Sequence, residues 1–327
     1  MAITNRSVVL PVEYGREIIR GVIGRSKALE LGRRLPDMRG KTYKLNVNAN
    51  LPVAGWVKNS QVANAEGTEI NRKPVSYYAF EGVDITAEEL AVIVPISENT
   101  LADVEDFGIE LAAELQEQVI GAFQQAIDSA VLFGVGSPWA NFSGIVNATS
   151  LANASVVWNG TAGTSFYNAI SDAMKLVEES GFVPNAILGG PALNSAFRGS
   201  ITELGINVAD QGQIGQLARH VDLTGGFNES TAFAIVGDFR YLVYSFREEM
   251  SMKLLTESSI YDPTTGSLLY ALAQQDMVAL RFTMRLGFAL PNPVNRVSGT
   301  LSSDGTYIEK GAKAYPFAII TKSVASN

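Results

Sequence analysis

Residues 55–80 read GWVKNSQVANAEGTEINRKPVSYYAF, and EGVDITAEELAVIVPI follows at residues 81–96, before a long helical pattern that ends in AVLFGVG at residue 136. The turn chemistry of Ala65, Glu66 and Gly67 predicts that residues 55–80 fold back on themselves as a two-stranded arm. An isolated hairpin is only marginally stable in water. The arm is therefore expected to lie on another surface, and another copy of the chain is the obvious candidate.

The helical pattern after the arm is unusually long. Residues 83–96 predict one strand, and Ser97 with Glu98 supplies an N-cap and an acidic first turn for a helix. From residue 111 to residue 131 an apolar residue recurs at every fourth position. A helix over about residues 97–133 would be ~50 Å long. One interpretation is an ordinary buried core helix. The other is a spine with one end in contact with other subunits, and the two interpretations are compatible.

Length and composition indicate a globular chain with a sizeable core, because 46% of its 327 residues are hydrophobic and 18% are charged. This length suits one large domain or two linked ones. No run of about 18 apolar residues predicts a transmembrane helix, and the first residues lack the pattern of a signal peptide. The absence of cysteine excludes disulfides, thiolate metal sites and thiol catalysis. We therefore expect synthesis in the cytosol.

The net charge of −8 argues against a chain built to grip nucleic acid, because phosphate contacts require a basic surface. The most basic stretch, residues 16–39, holds seven Arg or Lys residues, but they are interleaved with apolar and acidic residues. A solvated, partly packed arm is the better interpretation of this stretch.

The remaining segments predict a mixed α+β fold without a regular βαβ rhythm. Helices are predicted within residues 1–30 and over residues 165–180 and 191–198. Strands are predicted over residues 41–53 and 186–190, twice within residues 231–246, and after residue 294 with a turn at 303–305. Residues 200–226 predict a long surface loop, and residues 268–290 change from a helical to a strand pattern near Val278.

Residues able to carry catalysis are scarce. His220 is the only histidine, and a lone histidine is most often a surface residue without the nucleophile and orienting acid that a catalytic base needs. No segment matches GxxxxGK[ST], and none matches GxGxxG after a strand. Neighbouring acids such as Glu88 and Glu89 are most simply solvated surface residues. We therefore expect no catalytic site, no cofactor and no metal.

Several segments carry a resemblance to a known family. They are WVKNSQ at residues 56–61, KPVSYYAFEGVDITAEELAVIVPISENTLADV at 73–104, AVLFGVGSPWANFSGIVNA at 130–148, AIVGDFRYLVYSFREEMSMKL at 234–254 and QQDMVALRFTMRLGFALPNPV at 274–294. In this order they resemble the major capsid proteins of tailed phages, which have the HK97-like fold. The resemblance covers nearly the whole chain. Each motif is loose, and their order makes the match specific.

The resemblance implies an α+β, HK97-like capsid fold with its parts in a fixed order along the chain. The implied parts are an N-terminal arm (1–35), a peripheral domain (36–54 and 81–147) with a spine helix at about 97–133, an extended E-loop (55–80), an axial domain (148–276) and a return to the peripheral domain (277–327). The Gly-rich residues 211–226 would then form loops at the five-fold and six-fold centres of a shell.

The implied function is structural. Copies of the chain would assemble as pentamers and hexamers into an icosahedral shell around the phage genome, in the cytoplasm of the bacterial host. The implied partners are other copies, a scaffolding protein, a portal, a decoration protein in some cases, and double-stranded DNA contacted without sequence specificity, with no membrane involved. The residues expected at subunit contacts are Trp56, Lys58, Lys73, Tyr77, Tyr78 and Phe80 on the E-loop, and Arg16, Arg20 and Arg25 on the arm.

Some members of the family join their subunits through an isopeptide bond between an E-loop lysine and an asparagine, assisted by a glutamate. Lys58 or Lys73 would be the lysine here. However, TTGSLLYALAQQDMV at residues 264–278, where the asparagine and glutamate are expected, contains Gln274 and Gln275 and neither of those residue types. We therefore expect no isopeptide cross-link.

The chain begins almost at the arm, so a separate scaffolding protein is expected, unless a scaffold segment has already been removed.

Two other classes of protein stay open. An encapsulin-type compartment shares the fold and holds a cargo enzyme in place of DNA, so the contents of purified particles distinguish it. A soluble α+β enzyme would elute from a size-exclusion column as a small species, whereas a shell protein elutes as capsomers or very large particles.

Overall fold

The computed structural model describes residues 26–56, 73–99, 111–160, 164–200, 217–311 and 314–323. Its helices are α1 (Lys27–Leu31), α2 (Leu111–Phe133), α3 (Ile145–Leu151), α4 (Thr164–Glu179) and α5 (Ala192–Arg198). Its strands are β1 (Arg33–Arg34), β2 (Thr42–Pro52), β3 (Ala79–Thr86), β4 (Glu88–Ser97), β5 (Ser155–Trp158), β6 (Ala186–Gly189), β7 (Ala218–Val221), β8 (Ala234–Gly237), β9 (Val243–Leu255), β10 (Ser259–Tyr261), β11 (Leu268–Ala271), β12 (Met277–Ala289), β13 (Thr300–Leu301), β14 (Tyr307–Glu309) and β15 (Phe317–Lys322). Short 3-10 helices lie at Phe239–Tyr241 and Leu272–Gln274.

The largest core lies between α2 and a four-stranded sheet of order β1-β9-β12-β4. β9 and β12 each have 13 residues and pair antiparallel, with Phe282 opposite Met252. β4 pairs antiparallel with the other edge of β12. Phe123 and Ile127 of α2 are buried in the same cluster as Phe282. The apolar stripe of α2 therefore covers this sheet, which is the arrangement of a core helix.

A second core lies on a five-stranded sheet of order β5-β15-β8-β6-β7. α4 and α5 contribute Phe166 and Phe197 to this core. β6 is buried at every position because its alternate residues face two different cores, Leu188 the first and Ile187 the second. This sheet therefore lies between the two hydrophobic clusters and joins them.

The arm starts from a third sheet, of order β13-β14-β2-β3. β2 and β3 pair antiparallel, with Thr42 opposite Thr86 at one end and Asn50 opposite Ala79 at the other. Residues 53–56 and 73–78 continue from these strands without regular pairing. The predicted turn at residues 65–67 lies outside the described residues.

The prediction of one strand over residues 83–96 is wrong. The chain forms β3 and β4 there, which lie in different sheets and are separated by Ala87. The N–H of Ala87 donates to Lys41 O at 2.8 Å, after which the chain leaves β2 and pairs with β12. Gly287 on β12 lies at this joint, where a Cβ would be 2.6 Å from Thr86 O. Apolar residues continue to alternate from β3 into β4. This alternation depends on which face of each strand is buried and does not depend on which strand is its neighbour.

Other segments also differ from the predictions. Residues 268–274 form β11 and a 3-10 turn in place of a helix, because β11 pairs antiparallel with β10. The predicted loop over residues 200–226 contains β7, which pairs parallel with β6; residues 201–216 lie outside the described part.

Strand pairing also crosses the predicted domain boundaries. β9 joins the sheet of β4 and β12, and β15 joins the sheet of β5 and β8.

The end of α2 agrees with the predicted end of the spine helix at residue 133. Gly134 follows with φ at +73°, and a Cβ there would lie 2.1 Å from Ser143 O, so only glycine fits this turn. Glu98 and Asn99 are helical directly after β4, whereas residues 100–110 lie outside the described residues. The predicted start of the spine helix therefore stays a prediction.

Candidate assembly surfaces

The clearest candidate for a functional site is an apolar surface at the base of the arm. We call it the arm surface and define it by Trp56, Val75, Tyr77, Tyr78 and Phe80. These residues are 51–95% exposed. Single apolar residues are common on protein surfaces, but a group of large ones on two neighbouring segments marks an interaction site.

Hydrogen bonds and ring contacts hold the arm surface in place. Ser76 Oγ accepts from the N–H of Val53 at 2.8 Å, which joins the two segments of the arm. The hydroxyl of Tyr78 donates to Asn48 Oδ1 at 2.8 Å. The rings of Tyr78 and Phe80 meet edge to face, with centroids 4.7 Å apart. Tyr78 is therefore held at the surface by a hydrogen bond to β2 and by its ring contact with Phe80.

The described part of the arm includes five of the predicted contact residues, Trp56, Lys73, Tyr77, Tyr78 and Phe80, and all five are exposed. The other four lie outside the described residues: Lys58, Arg16, Arg20 and Arg25. A role at subunit contacts stays a prediction for all nine.

A second apolar surface was not predicted. β10 and β11 form a two-stranded antiparallel hairpin of their own, which we call the hairpin surface. Its exposed apolar residues are Tyr261, Leu268, Leu269 and Tyr270. Asp262 Oδ1 accepts from the N–H of Thr264 at 2.7 Å, and the hydrogen bonds of this turn lower the pKa of Asp262. The turn sequence DPTTG at residues 262–266 was the signal for a hairpin, whereas the following leucines and alanines favour a helix.

His220 lies on β7 and is partly buried, so it is not the surface residue that the sequence predicted. Its Nδ1 is 3.6 Å from Glu30 Oε1 on α1. Burial lowers the pKa of His220 and the charge of Glu30 opposes this shift. His220 is therefore uncharged at neutral pH, and its place is at the contact between β7 and α1.

A cavity of about 480 Å³ lies between β3, the loop after α2 and the end of β12. Its wall includes Trp139, Phe288, Asp84 and Lys310. Burial lowers the pKa of Lys310, and Glu81 partly opposes this shift.

Among the described residues, no group of three or more His, Asp or Glu side chains could hold a metal ion. In the same part of the chain no helix has the length and apolar character needed to cross a membrane.

Comparison with known proteins identifies the class. A family model described as "Phage capsid family" matches residues 6–205, more than half of the chain. A solved structure from Microbacterium phage Oxtober96 is similar with a TM-score of 0.72 and 28% identity, over 91% of each chain. One from Mycobacterium phage Bobi is similar with a TM-score of 0.74 and 25% identity, over 92% of this chain and 91% of the other. No curated protein sequence matches the chain significantly.

A more distant structural match shares the fold alone. It is titled "Capsid of native GTA particle computed with C5 symmetry" and has a TM-score of 0.53 and 13% identity, over 99% of this chain and 94% of the other. A long helix on a largely antiparallel sheet and a second sheet covered by helices make up a capsid subunit with the HK97-like fold. The chain belongs to the phage capsid family. It is a structural protein of an icosahedral viral shell, so the predicted resemblance, fold class and function are confirmed.

Proposed function

We propose that the chain assembles as pentamers and hexamers, and that the arm of each subunit lies across a neighbouring copy. The exposed arm surface carries this proposal, because its large apolar side chains lie where the chain leaves the sheet of β2 and β3 and returns to it. Cover by a neighbouring subunit removes their area from water and stabilises the arm. Many such moderate contacts add together in a closed shell through multivalency.

The sheets suggest an assignment of the parts of the subunit. In this proposal the sheet β1-β9-β12-β4 and α2 form the peripheral domain with its spine helix, and the sheet β5-β15-β8-β6-β7 with α4 and α5 forms the axial domain. Residues 243–255 then belong to the peripheral domain and residues 317–322 to the axial domain, which revises the boundaries predicted from sequence. Residues 211–226 were expected to form loops at the five-fold and six-fold centres, but 218–221 form β7 and Gly226 accepts from Ser129 of α2. The proposal therefore keeps only residues 211–216, which lie outside the described residues, for a place at those centres.

The proposed content of the shell is double-stranded DNA, which the wall contacts without sequence specificity. The net charge of −8 supports this, because an acidic wall does not bind densely packed DNA tightly. The further proposed partners are a scaffolding protein, a portal and a decoration protein, and assembly takes place in the cytoplasm of the bacterial host. The proposed role includes no catalytic step.

Contacts between subunits are non-covalent in this proposal. Lys73 is exposed on the arm, but the segment expected to supply its partner has glutamines in place of asparagine and glutamate. Gln275 Oε1 accepts from the N–H of Ala271 at 3.3 Å and thus bonds within its own turn. Interlocking arms, or a decoration protein, then supply the stability that a cross-link supplies in other family members.

Negative-stain electron microscopy of the purified full-length protein tests this proposal. We expect closed shells with five-membered and six-membered capsomers, and DNA in particles taken from infected cells. Particles that hold an enzyme and no DNA would indicate an encapsulin-type compartment. A protein that stays a monomer on size exclusion at all concentrations would contradict assembly.

A further inference from the structure

Two buried carboxylates meet beside α2. Asp128 lies on α2 and Asp222 lies in the loop that follows β7, and the two residues are 0% and 1% exposed. Ser129 of α2 donates to Gly226 O at 3.3 Å, so residues 222–226 are docked along the helix. This loop and the start of α1 therefore approach α2 at the same place.

Asp128 also holds the first turn of α1. Its Oδ1 accepts from Ser26 Oγ at 2.6 Å and from the N–H of Ala28 at 3.0 Å. Its Oδ2 accepts from the N–H of Lys27 at 3.2 Å. These bonds satisfy the free N–H groups at the start of the helix. One carboxylate thus orders the point at which residues 1–25 join the described fold.

Thr224 joins the two carboxylates. Its hydroxyl lies 2.6 Å from Asp222 Oδ1 and 3.4 Å from Asp128 Oδ2, and it accepts from the N–H of Gly226 at 3.2 Å. A hydroxyl has one proton to donate, and the shorter contact takes it. Its contact with Asp128 then brings oxygen lone pairs together, unless Asp128 carries a proton and donates to Thr224. In the described part of the chain Asp222 Oδ2 is buried with no hydrogen-bond partner, so this cluster is short of donors.

The charged groups on the surrounding elements do not neutralise the pair. On α1, Lys27 Nζ forms an ion pair with Glu30, and on β7, His220 lies 3.6 Å from the same Glu30. Burial raises the pKa of Asp128 to about 6, and the hydrogen bonds from the start of α1 oppose that shift while the charge of Asp222 adds to it. Burial lowers the pKa of His220.

We propose that Asp128, Thr224 and Asp222 form a proton-dependent latch that fastens α1 and the loop of residues 222–226 to α2. With one proton on the pair, Asp128 donates to Thr224, Thr224 donates to Asp222, and Asp128 still accepts from α1. Loss of that proton to solvent leaves two buried negative charges, which repel each other and loosen α1. All of these groups belong to one subunit, so the latch does not depend on the proposed assembly.

The sign of the pH effect follows from the raised pKa of Asp128. When α1 opens, the carboxyl is solvated and its pKa returns toward 3.8, so the latched state binds the proton more tightly. Latching is therefore favoured as the pH falls through about 6, and this contribution is absent at higher pH. Between about pH 7.5 and about pH 5 the latching equilibrium should rise about tenfold. His220 acts in the opposite sense, because its lowered pKa disfavours the latched state below pH 6.5.

Hydrogen exchange measured by mass spectrometry on the full-length protein, in the assembled state in which it is purified, tests the latch. After correction for intrinsic exchange rates, protection of a peptide covering residues 26–31 should rise about tenfold from about pH 7.5 to about pH 5. In Asp128→Asn the same peptide should show no such rise. Asp172→Asn, on the exposed side of α4, is the matched control and should follow the wild type. His220→Gln should make the rise steeper.

Equal pH dependence in the wild type and in Asp128→Asn would overturn the latch. If that variant does not fold, Asp222→Asn decides the question. Removal of the Asp222 charge should lower the pKa of Asp128 and move the rise in protection to lower pH. A curve for Asp222→Asn that coincides with the wild type also overturns the proposal.

Discussion

Phe80→Ala should weaken the shell while leaving the fold of the subunit nearly intact. Phe80 is 61% exposed in the isolated subunit. A phenylalanine side chain offers ~200 Å² of surface, so ~120 Å² of it is open for a neighbouring copy to cover. At ~25 cal/mol per Å², full cover contributes ~3 kcal/mol per copy. If a neighbour covers half of this area, its loss weakens one subunit contact about tenfold.

The isolated subunit loses little from the same change. An exposed Phe80 gives up its edge contact with Tyr78, which is worth ~0.5–1.5 kcal/mol. Guanidinium titrations separate the two effects, because light scattering follows dissociation of the shell and circular dichroism follows unfolding of the subunit. We expect the dissociation midpoint to fall and the unfolding midpoint to move little. Val157→Ala is the matched control, since Val157 is 68% exposed on β5, outside the arm surface.

Three results would refute this reasoning about Phe80. An unchanged dissociation midpoint would show that no neighbouring subunit covers the side chain. A fall of equal size in both midpoints would show that Phe80 acts within the fold of its own subunit. An effect of Val157→Ala as large as that of Phe80→Ala would show that apolar exposure alone, and not the place on the arm, sets the sensitivity of the shell.

Three further outcomes are expected. Phe282→Ala should lower the free energy of unfolding by ~3–5 kcal/mol, measured by chemical denaturation, because Phe282 is fully buried between α2 and its sheet. Gly287→Ala should cost ~1–3 kcal/mol because its Cβ would be 2.6 Å from Thr86 O, whereas Gly121→Ala on α2 meets nothing within 4 Å and should stabilise by ~0.5–1 kcal/mol. Intact particles boiled in SDS should run as monomers near 35.0 kDa, and a ladder of multimers would contradict the absence of an isopeptide bond.

Elements governed by local signals were predicted well. The helix predicted over residues 165–180 is α4, because its apolar residues repeat with helical spacing along one face. The buried strand at residues 186–190 is β6, which a short apolar run ending in glycines predicts. The end of α2 was predictable because Gly134 takes a left-handed conformation that stops the helix. In each case the residues that decide the structure are neighbours in the chain.

The partner of each strand was not predictable. Alternation of apolar and polar residues shows which face of a strand is buried, but it does not show which strands lie beside it. β3 and β4 show one continuous pattern yet pair with β2 and β12 in different sheets. β15 lies between β5 and β8, far from both in the chain, so no local pattern places residues 317–322 in that sheet. For β11, pairing with β10 overrides the helix preference of its leucines and alanine.

The same distinction applies to the functional residues. Tyr77, Tyr78 and Phe80 were expected at subunit contacts from the resemblance to tailed-phage capsid proteins, and all three are exposed. Asp128 gave no such signal, because it lies within an apolar helical pattern and its partners come from distant segments, Ser26 and Thr224. A polar residue on a buried helix face requires partners, but local spacing does not say which ones.

Stability of the subunit and stability of the shell rest on different residues. Phe282 is buried in the core between α2 and its sheet, so its loss must be felt in every state in which the subunit is folded. Phe80 is exposed in that same fold, so its loss is felt only where another copy covers it. The two side chains share no cluster, and their effects on subunit unfolding should therefore be nearly additive. If a variant shell dissociates at a lower denaturant concentration while its subunits unfold at the wild-type midpoint, the defect lies in the arm contacts and not in the core.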